Sequence, residues 1–170
     1  MSEVYNCQIK GKLYNLLFNM NKSVNITVNT PVGKTESAVI DCVVSQGTIE
    51  SGVMSSVNIG KGIDVAFADS DGEVVYVDFK MNPMSFMDDI NRYSESVKSA
   101  QDGNNRIQYL VESKCLSLNL DKCCYLIMGS RKTKKKLKKE TEETPLTLYD
   151  KPMNPASSVK ILGDYLCSTL

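Results

Sequence analysis

Met84-Ser85-Phe86-Met87-Asp88-Asp89-Ile90 is the stretch on which the fold and the chemistry of this chain turn. A short apolar run ends abruptly in two carboxylates. Aspartate is poor strand material, so the pair is expected in a tight turn between Phe86 and Ile90. Two acids at a hairpin tip concentrate negative charge that a cation relieves, and hard carboxylate oxygens suit Mg2+. A plain exposed turn also accounts for an Asp-Asp pair, and the dipeptide alone is a weak signal.

Working outward, residues 74–79 read as an extended unit with Val75, Val77 and Phe79 on one face, closed by Asn82-Pro83. Upstream, Ser45-Gln46-Gly47-Thr48 forms a joint leading into a helix over about residues 49–58, which Gly60 and Gly62 are expected to stop. Before it, Val24, Ile26 and Val28 alternate with polar neighbours, Pro31 and Gly33 supply a turn, and residues 38–44 resume an extended run, giving a β-hairpin. Ile9, Leu13, Leu16, Leu17 and Met20 form the apolar stripe of an N-terminal helix over residues 5–20.

Downstream, Val97, Ala100, Ile107, Leu110, Val111 and Leu118 predict a helix over 94–118, with Gly103 a candidate break. A strand is expected over 123–128. Residues 131–139 carry seven basic side chains answered by Glu140, Glu142 and Glu143, which reads as a solvated loop over 131–144. Residues 146–149, a turn at Pro152, and residues 159–162 read as a final hairpin. The expected class is α+β, with an antiparallel sheet covered on one face by helices.

With 42% hydrophobic residues, a chain of 170 has enough apolar mass for a core. Twenty basic and 20 acidic groups cancel, so total charge names no partner. The six cysteines lack C-x-x-C spacing and no histidine is present, which argues against a zinc site. The missing imidazole also removes Ser-His and Cys-His chemistry, leaving carboxylates, metals and lysine. No apolar run approaches the roughly 20 residues of a membrane span. No secretory leader is legible, so an intracellular setting, nuclear or cytoplasmic, with reduced and mostly buried thiols is expected.

Four segments, taken in order over roughly residues 40–166, resemble motifs of the reverse transcriptase palm of the non-LTR retrotransposon type. Gln46-Gly47 followed by a helix looks like the family's nucleotide-contacting element. Phe86-Met87-Asp88-Asp89 is similar to its aromatic-x-Asp-Asp hairpin. Asn119-Leu120-Asp121-Lys122 before a strand resembles its Asn-x-x-Lys turn, and Ile161-Leu162-Gly163 its Leu-Gly primer hairpin. The resemblance implies an RNA-directed DNA polymerase working by two-metal nucleotidyl transfer, with Mg2+ as cofactor and an RNA or DNA template-primer and deoxynucleoside triphosphate as partners. Asp88 would be the stronger metal ligand and Asp89 a second ligand or electrostatic support. Lys122 would approach the leaving pyrophosphate, although it also reads as an ordinary solvated lysine. Gln46, Gly47 and Phe86 would contact substrate, and Leu162 and Gly163 the primer end.

Two departures bear on activity. Thr48-Ile49-Glu50-Ser51 stands where the family places a small or acidic residue, proline and serine. The family's first catalytic aspartate lies on a strand well before Gln-Gly, whereas here Asp41 is too close and Glu3 and Glu36 lack strand context. Fingers, the first palm strand and a thumb are therefore expected on a missing remainder of the polymerase, and the chain alone is expected to be incomplete or inactive. The division expected is a partial palm over 1–130, the basic/acidic loop over 131–144 and a hairpin resembling a primer grip over 145–170. An alternative is a catalytically silent nucleic-acid-binding or interaction module derived from such a palm, with the lysine run contacting phosphates. A structural domain whose acidic turn is incidental is a third. Gly33-Lys34-Thr35 lacks the glycine a phosphate-binding loop needs five positions earlier, where Val28 stands.

Overall fold

The computed structural model describes residues 9–20, 22–40, 49–68, 74–76, 79–81, 83–86 and 89–168. Among the described residues the chain mixes four helices with short strands that pair two at a time, in agreement with the α+β class. It divides into two compact units, Met1–Gly62 with Met84–Ile90, and Ile63–Pro83 with Asn91–Leu170.

In the first unit, helix α1 (Gly11–Met20) buries only Leu17, which meets Met54 of helix α2 (Ile49–Ala66), with Ile9, Tyr14 and Val57 packed against the pair. Leu13, Leu16 and Met20 of the expected stripe stay exposed. The expected hairpin forms: β1 (Val24–Ile26) pairs antiparallel with β4 (Ala38–Ile40), Val24 opposite Ile40. Inside it β2 (Asn29–Thr30) pairs with β3 (Gly33–Lys34) around a Pro31-Val32 turn. The Thr30 hydroxyl donates to the Gly33 carbonyl at 2.8 Å, and Thr35 Oγ1 accepts from the Val28 amide at 3.0 Å.

Helix α2 runs through Gly60 and Gly62 instead of stopping at them. Ile59, Ile63 and Phe67 recur every fourth residue and are all buried, and burying such side chains stabilises by about 1.5–3 kcal/mol each, more than the roughly 1 kcal/mol an interior glycine costs. A Cβ at Gly60 would sit 4.0 Å from Ser85 Oγ, an ordinary contact, so nothing in its surroundings demands glycine.

The extended unit expected over 74–79 instead reverses on itself. Strand β5 (Val75–Tyr76) pairs antiparallel with β6 (Phe79–Lys80), Tyr76 opposite Phe79, and the Met81 amide donates to the Val74 carbonyl at 2.9 Å. Val77, in the expected one-faced pattern, lies outside the described residues.

Helix α3 (Val97–Ser113) organises the second unit. It begins at Ser96, whose extended backbone and side chain cap the Ser99 amide at 3.1 Å. It passes unbroken through Gly103, where the Arg92 side chain occupies the space a Cβ would fill. Arg92 Nη1 donates to the Ala100 carbonyl at 3.0 Å, Nη2 to the Ser99 carbonyl, and the guanidinium lies 5.5 Å from the Phe67 ring centroid. Ile107, Leu110 and Val111 are buried, as are Leu146 and Leu148 of the segment that meets α3.

Residues 131–139 are not a loop. They belong to helix α4 (Arg131–Glu143), capped by Ser130, which accepts from the Thr133 amide at 3.2 Å. Lys, Arg and Glu are strong helix formers, and Leu137 and Thr141 supply an inner face on which Thr141 is buried. Lys136–Glu140 and Lys139–Glu143 sit at 3.7 Å in i, i+4 pairs, each worth about 0.2–0.5 kcal/mol at such exposed positions. The overall charge order nonetheless opposes the helix dipole: the first turn has no acid and the last no base. Each misplaced terminal charge costs about 0.3–1 kcal/mol at low ionic strength.

Helix α4 lies between two parallel strands, β9 (Cys124–Leu126) and β12 (Asn154–Ala156), with Tyr125 opposite Pro155. This pair departs from the antiparallel expectation, and parallel neighbours need such a long crossover. The single C-terminal hairpin expected is two. β10 (Thr147–Leu148) pairs with β11 (Lys151–Pro152) around Tyr149 and Asp150, both left-handed at φ 50° and 58°. β13 (Ser158–Ile161) pairs with β14 (Asp164–Cys167), so residues 159–162 do not pair with 146–149. Among the described residues no helix is long and apolar enough to cross a membrane.

Candidate functional site

Strand β7 (Met84–Phe86) pairs with β8 (Asp89–Asn91). Only two residues connect them, and a link that short admits only an antiparallel hairpin. Asp89 is therefore the first residue of a strand and not part of the turn itself, and its side chain is exposed, as is Phe86. Met87 and Asp88 lie outside the described residues, as do Gln46 and Gly47. The hairpin brings Phe86 and Asp89 to the two flanks of one reversal.

Lys122 closes a compact turn in the second unit. The Asn119 side-chain oxygen accepts from the Asp121 amide at 3.2 Å, and the Lys122 and Cys123 amides donate to the carbonyls of Asn119 and Leu120 at 3.1 and 3.2 Å. Asparagine suits this position because its side chain imitates the backbone acceptor of a turn. The Lys122 side chain is exposed, and β9 follows at once.

Leu162 and Gly163 form the tip of the β13–β14 hairpin, at φ 49° and 101°. Two consecutive left-handed residues make the tight turn whose twist matches paired strands, and glycine takes one of them without steric cost. Leu162 is two-thirds exposed at 67%, an apolar side chain held at a hairpin tip. Phe86 and Asp89 belong to the first compact unit, and Lys122, Leu162 and Gly163 to the second.

Among the described residues no group of three or more His, Cys, Asp or Glu side chains could hold a metal ion. Of the Asp88-Asp89 pair only Asp89 is described, an exposed carboxylate at the start of β8.

Two features lie beyond what the sequence pattern leads one to expect. One is a row of amides on α3. Gln101 Oε1 accepts from the Thr147 amide at 2.8 Å, Gln101 Nε2 and Asn104 Nδ2 both donate to the Thr147 carbonyl at 3.2 Å, and Gln108 Oε1 accepts from the Tyr149 amide at 3.0 Å. These side chains stand in for a neighbouring strand along β10. Their spacing, three and then four residues, was the available signal. The other is the Arg92 socket, for which the mid-helix Gly103 was the clue.

The described cysteines are free, but Cys115, Cys124 and Cys167 are exposed, which corrects the expectation of buried thiols. Burial pushes the Cys123 thiol up from its ordinary value, and the adjacent Cys124 adds to the shift. Comparisons with protein-family models, curated proteins and solved structures found no match.

Proposed function

We propose that this chain is a piece of an RNA-directed DNA polymerase palm, incomplete on its own, in which Asp88 and Asp89 hold Mg2+ beside a primer end. The observation that carries the reading is the pairing of β7 with β8, in which Phe86 closes one strand and Asp89 opens the next. Two further features support it in chain order: the Asn119–Lys122 turn entering β9, and the Leu162-Gly163 hairpin tip.

Bound there, the metal would supply charge neutralisation at the transferring phosphoryl group. Asp88 and Asp89 would hold it, and a third carboxylate from the remainder of the polymerase would complete the set. Lys122 would bring a positive charge toward departing pyrophosphate. Gln46 and Gly47 would let the backbone approach a nucleotide, Phe86 would flank it, and Leu162 and Gly163 would bear on the primer strand.

Joined to an upstream aspartate-bearing strand, the chain is expected to extend a DNA primer on an RNA template with Mg2+, and Asp88→Ala is expected to abolish extension. Full extension by that variant would overturn the proposal. A second readout needs no activity: Mn2+ binding followed by electron paramagnetic resonance should weaken in the Asp88→Asn, Asp89→Asn double variant, and unchanged binding would also count against it.

A further inference from the structure

The basic run was expected as a loop, and a helix gives it a geometry that a loop lacks. Lys132, Lys135, Lys136 and Lys139 stand at i, i+3, i+4 and i+7 on α4, and are therefore on one face. All four are exposed, and the side chains of Lys136 and Lys139 are each 76% accessible. The opposite face points inward: Thr141 is buried, Leu137 is half-buried, and Lys134 Nζ donates to the Ser168 carbonyl.

We propose that this outer face of α4 is a docking surface for the phosphate backbone of a nucleic-acid duplex. From Lys132 to Lys139 the helix rises about 10 Å, about three intervals of roughly 3.4 Å along one strand of a duplex, which place about four phosphates beside it. Four ammonium groups stand on that length, and two of them, Lys136 and Lys139, sit in exposed ion pairs with Glu140 and Glu143 that contact with phosphate would replace. The charge order of α4 points the same way. Bases crowd the positive end of its dipole, an arrangement that opposes the helix by itself and that a bound polyanion relieves.

Glu140, Glu142 and Glu143 repel a polyanion from the last turn, so the contact covers the first two turns and a little more. No aromatic residue lies within the run, so the contact reads backbone charge and not bases. A membrane surface fits less well. A helix lying on lipid needs an apolar face to insert, and the Leu137 side of α4 is turned into its own unit.

This proposal needs neither metal nor Asp88, so it stands or falls separately from the polymerase reading. The test is fluorescence anisotropy of a labelled DNA duplex with the full chain in EDTA. Four phosphate contacts predict a slope of log affinity on log salt of about −3.6, a roughly hundredfold loss between about 50 and about 200 mM. The variant carrying Lys132→Gln, Lys135→Gln, Lys136→Gln and Lys139→Gln should lose nearly all of that slope, while the corresponding arginine variant should keep it. Circular dichroism of the glutamine variant should show the helix content retained, as glutamine is a good helix former. A glutamine variant with the parent's slope, or a parent chain that ignores duplex at about 50 mM salt, would overturn the proposal. So would binding to phosphatidylserine vesicles without binding to duplex, which would assign the face to a membrane.

Discussion

Among the described residues the two compact units differ in how much apolar side chain they enclose, although the second also leaves Val65, Tyr109, Leu116 and Met128 exposed. The first keeps Leu17, Met54 and Ile59 inside but leaves Leu13, Leu16, Phe18, Met20, Val39 and Ile40 exposed. The second encloses Ile63, Phe67, Ile107, Leu110, Val111, Leu146 and Leu148 around α3 and fastens β10 to that helix by side-chain amides. Stability should therefore concentrate in the second unit, since large exposed apolar groups contribute little and unfold at low cost.

The largest expected effect sets a core leucine of the second unit against a surface one of the first. Leu110→Ala, at a side chain only 6% exposed, should cost about 2–5 kcal/mol in urea denaturation. Leu13→Ala, at 54% exposure, should stay within about 0.5 kcal/mol. Equal losses would break the contrast and show that the α1 stripe is covered in solution.

Next in size, Gln101→Ala removes both partners it gives Thr147 and should cost about 1–3 kcal/mol. The Thr147 amide should then exchange with solvent faster in hydrogen-exchange measurements. Unchanged protection would mean β10 is held by burial of Leu146 and Leu148 alone.

The glycines sharpen the contrast further. Gly60→Ala should stabilise by about 0.5–1 kcal/mol, since α2 is helical there and the site has room. Gly103→Ala should destabilise despite the same gain in helix propensity, because the new methyl evicts Arg92 from its carbonyl acceptors. Thermal melting of both variants checks the opposite signs.

The smallest effect is at Cys123. Its raised thiol pKa means the unfolded chain ionises first as pH climbs, so its contribution is present below the ordinary thiol range and lost above it. Stability should fall in the alkaline range, and Cys123→Ala should flatten part of that fall. At a fixed mildly alkaline pH, Cys123 should also react with a thiol reagent more slowly than the exposed Cys124.

Elements whose signal is local were legible in the sequence. Alternation at Val24 and Ile26 found the first hairpin, and the spacing of Ile107, Leu110 and Val111 found α3. Where structure and sequence pattern part, packing overrides a residue's local preference. Gly60 and Gly62 suggest stops by themselves, yet the buried series Ile59, Ile63, Phe67 carries α2 past them. Charge at 131–139 suggests a solvated loop, although lysine is a helix former and Leu137 and Thr141 mark an inner face. The C-terminal pairing failed because its turns fall on Tyr149 and Asp150, which carry no glycine signal. Of the candidate site, the end of a strand at Phe86 is readable from the residues and the turn before Lys122 only from the family resemblance, whereas Asp89's place at a strand start depends on where pairing resumes.

Strand β9 can find β12 only after everything from residue 127 to 153 has been made. At a synthesis rate of about 5–20 residues per second, its edge waits a few seconds with its hydrogen-bonding groups open. Throughout that interval the nascent chain presents an unclaimed template to any passing strand.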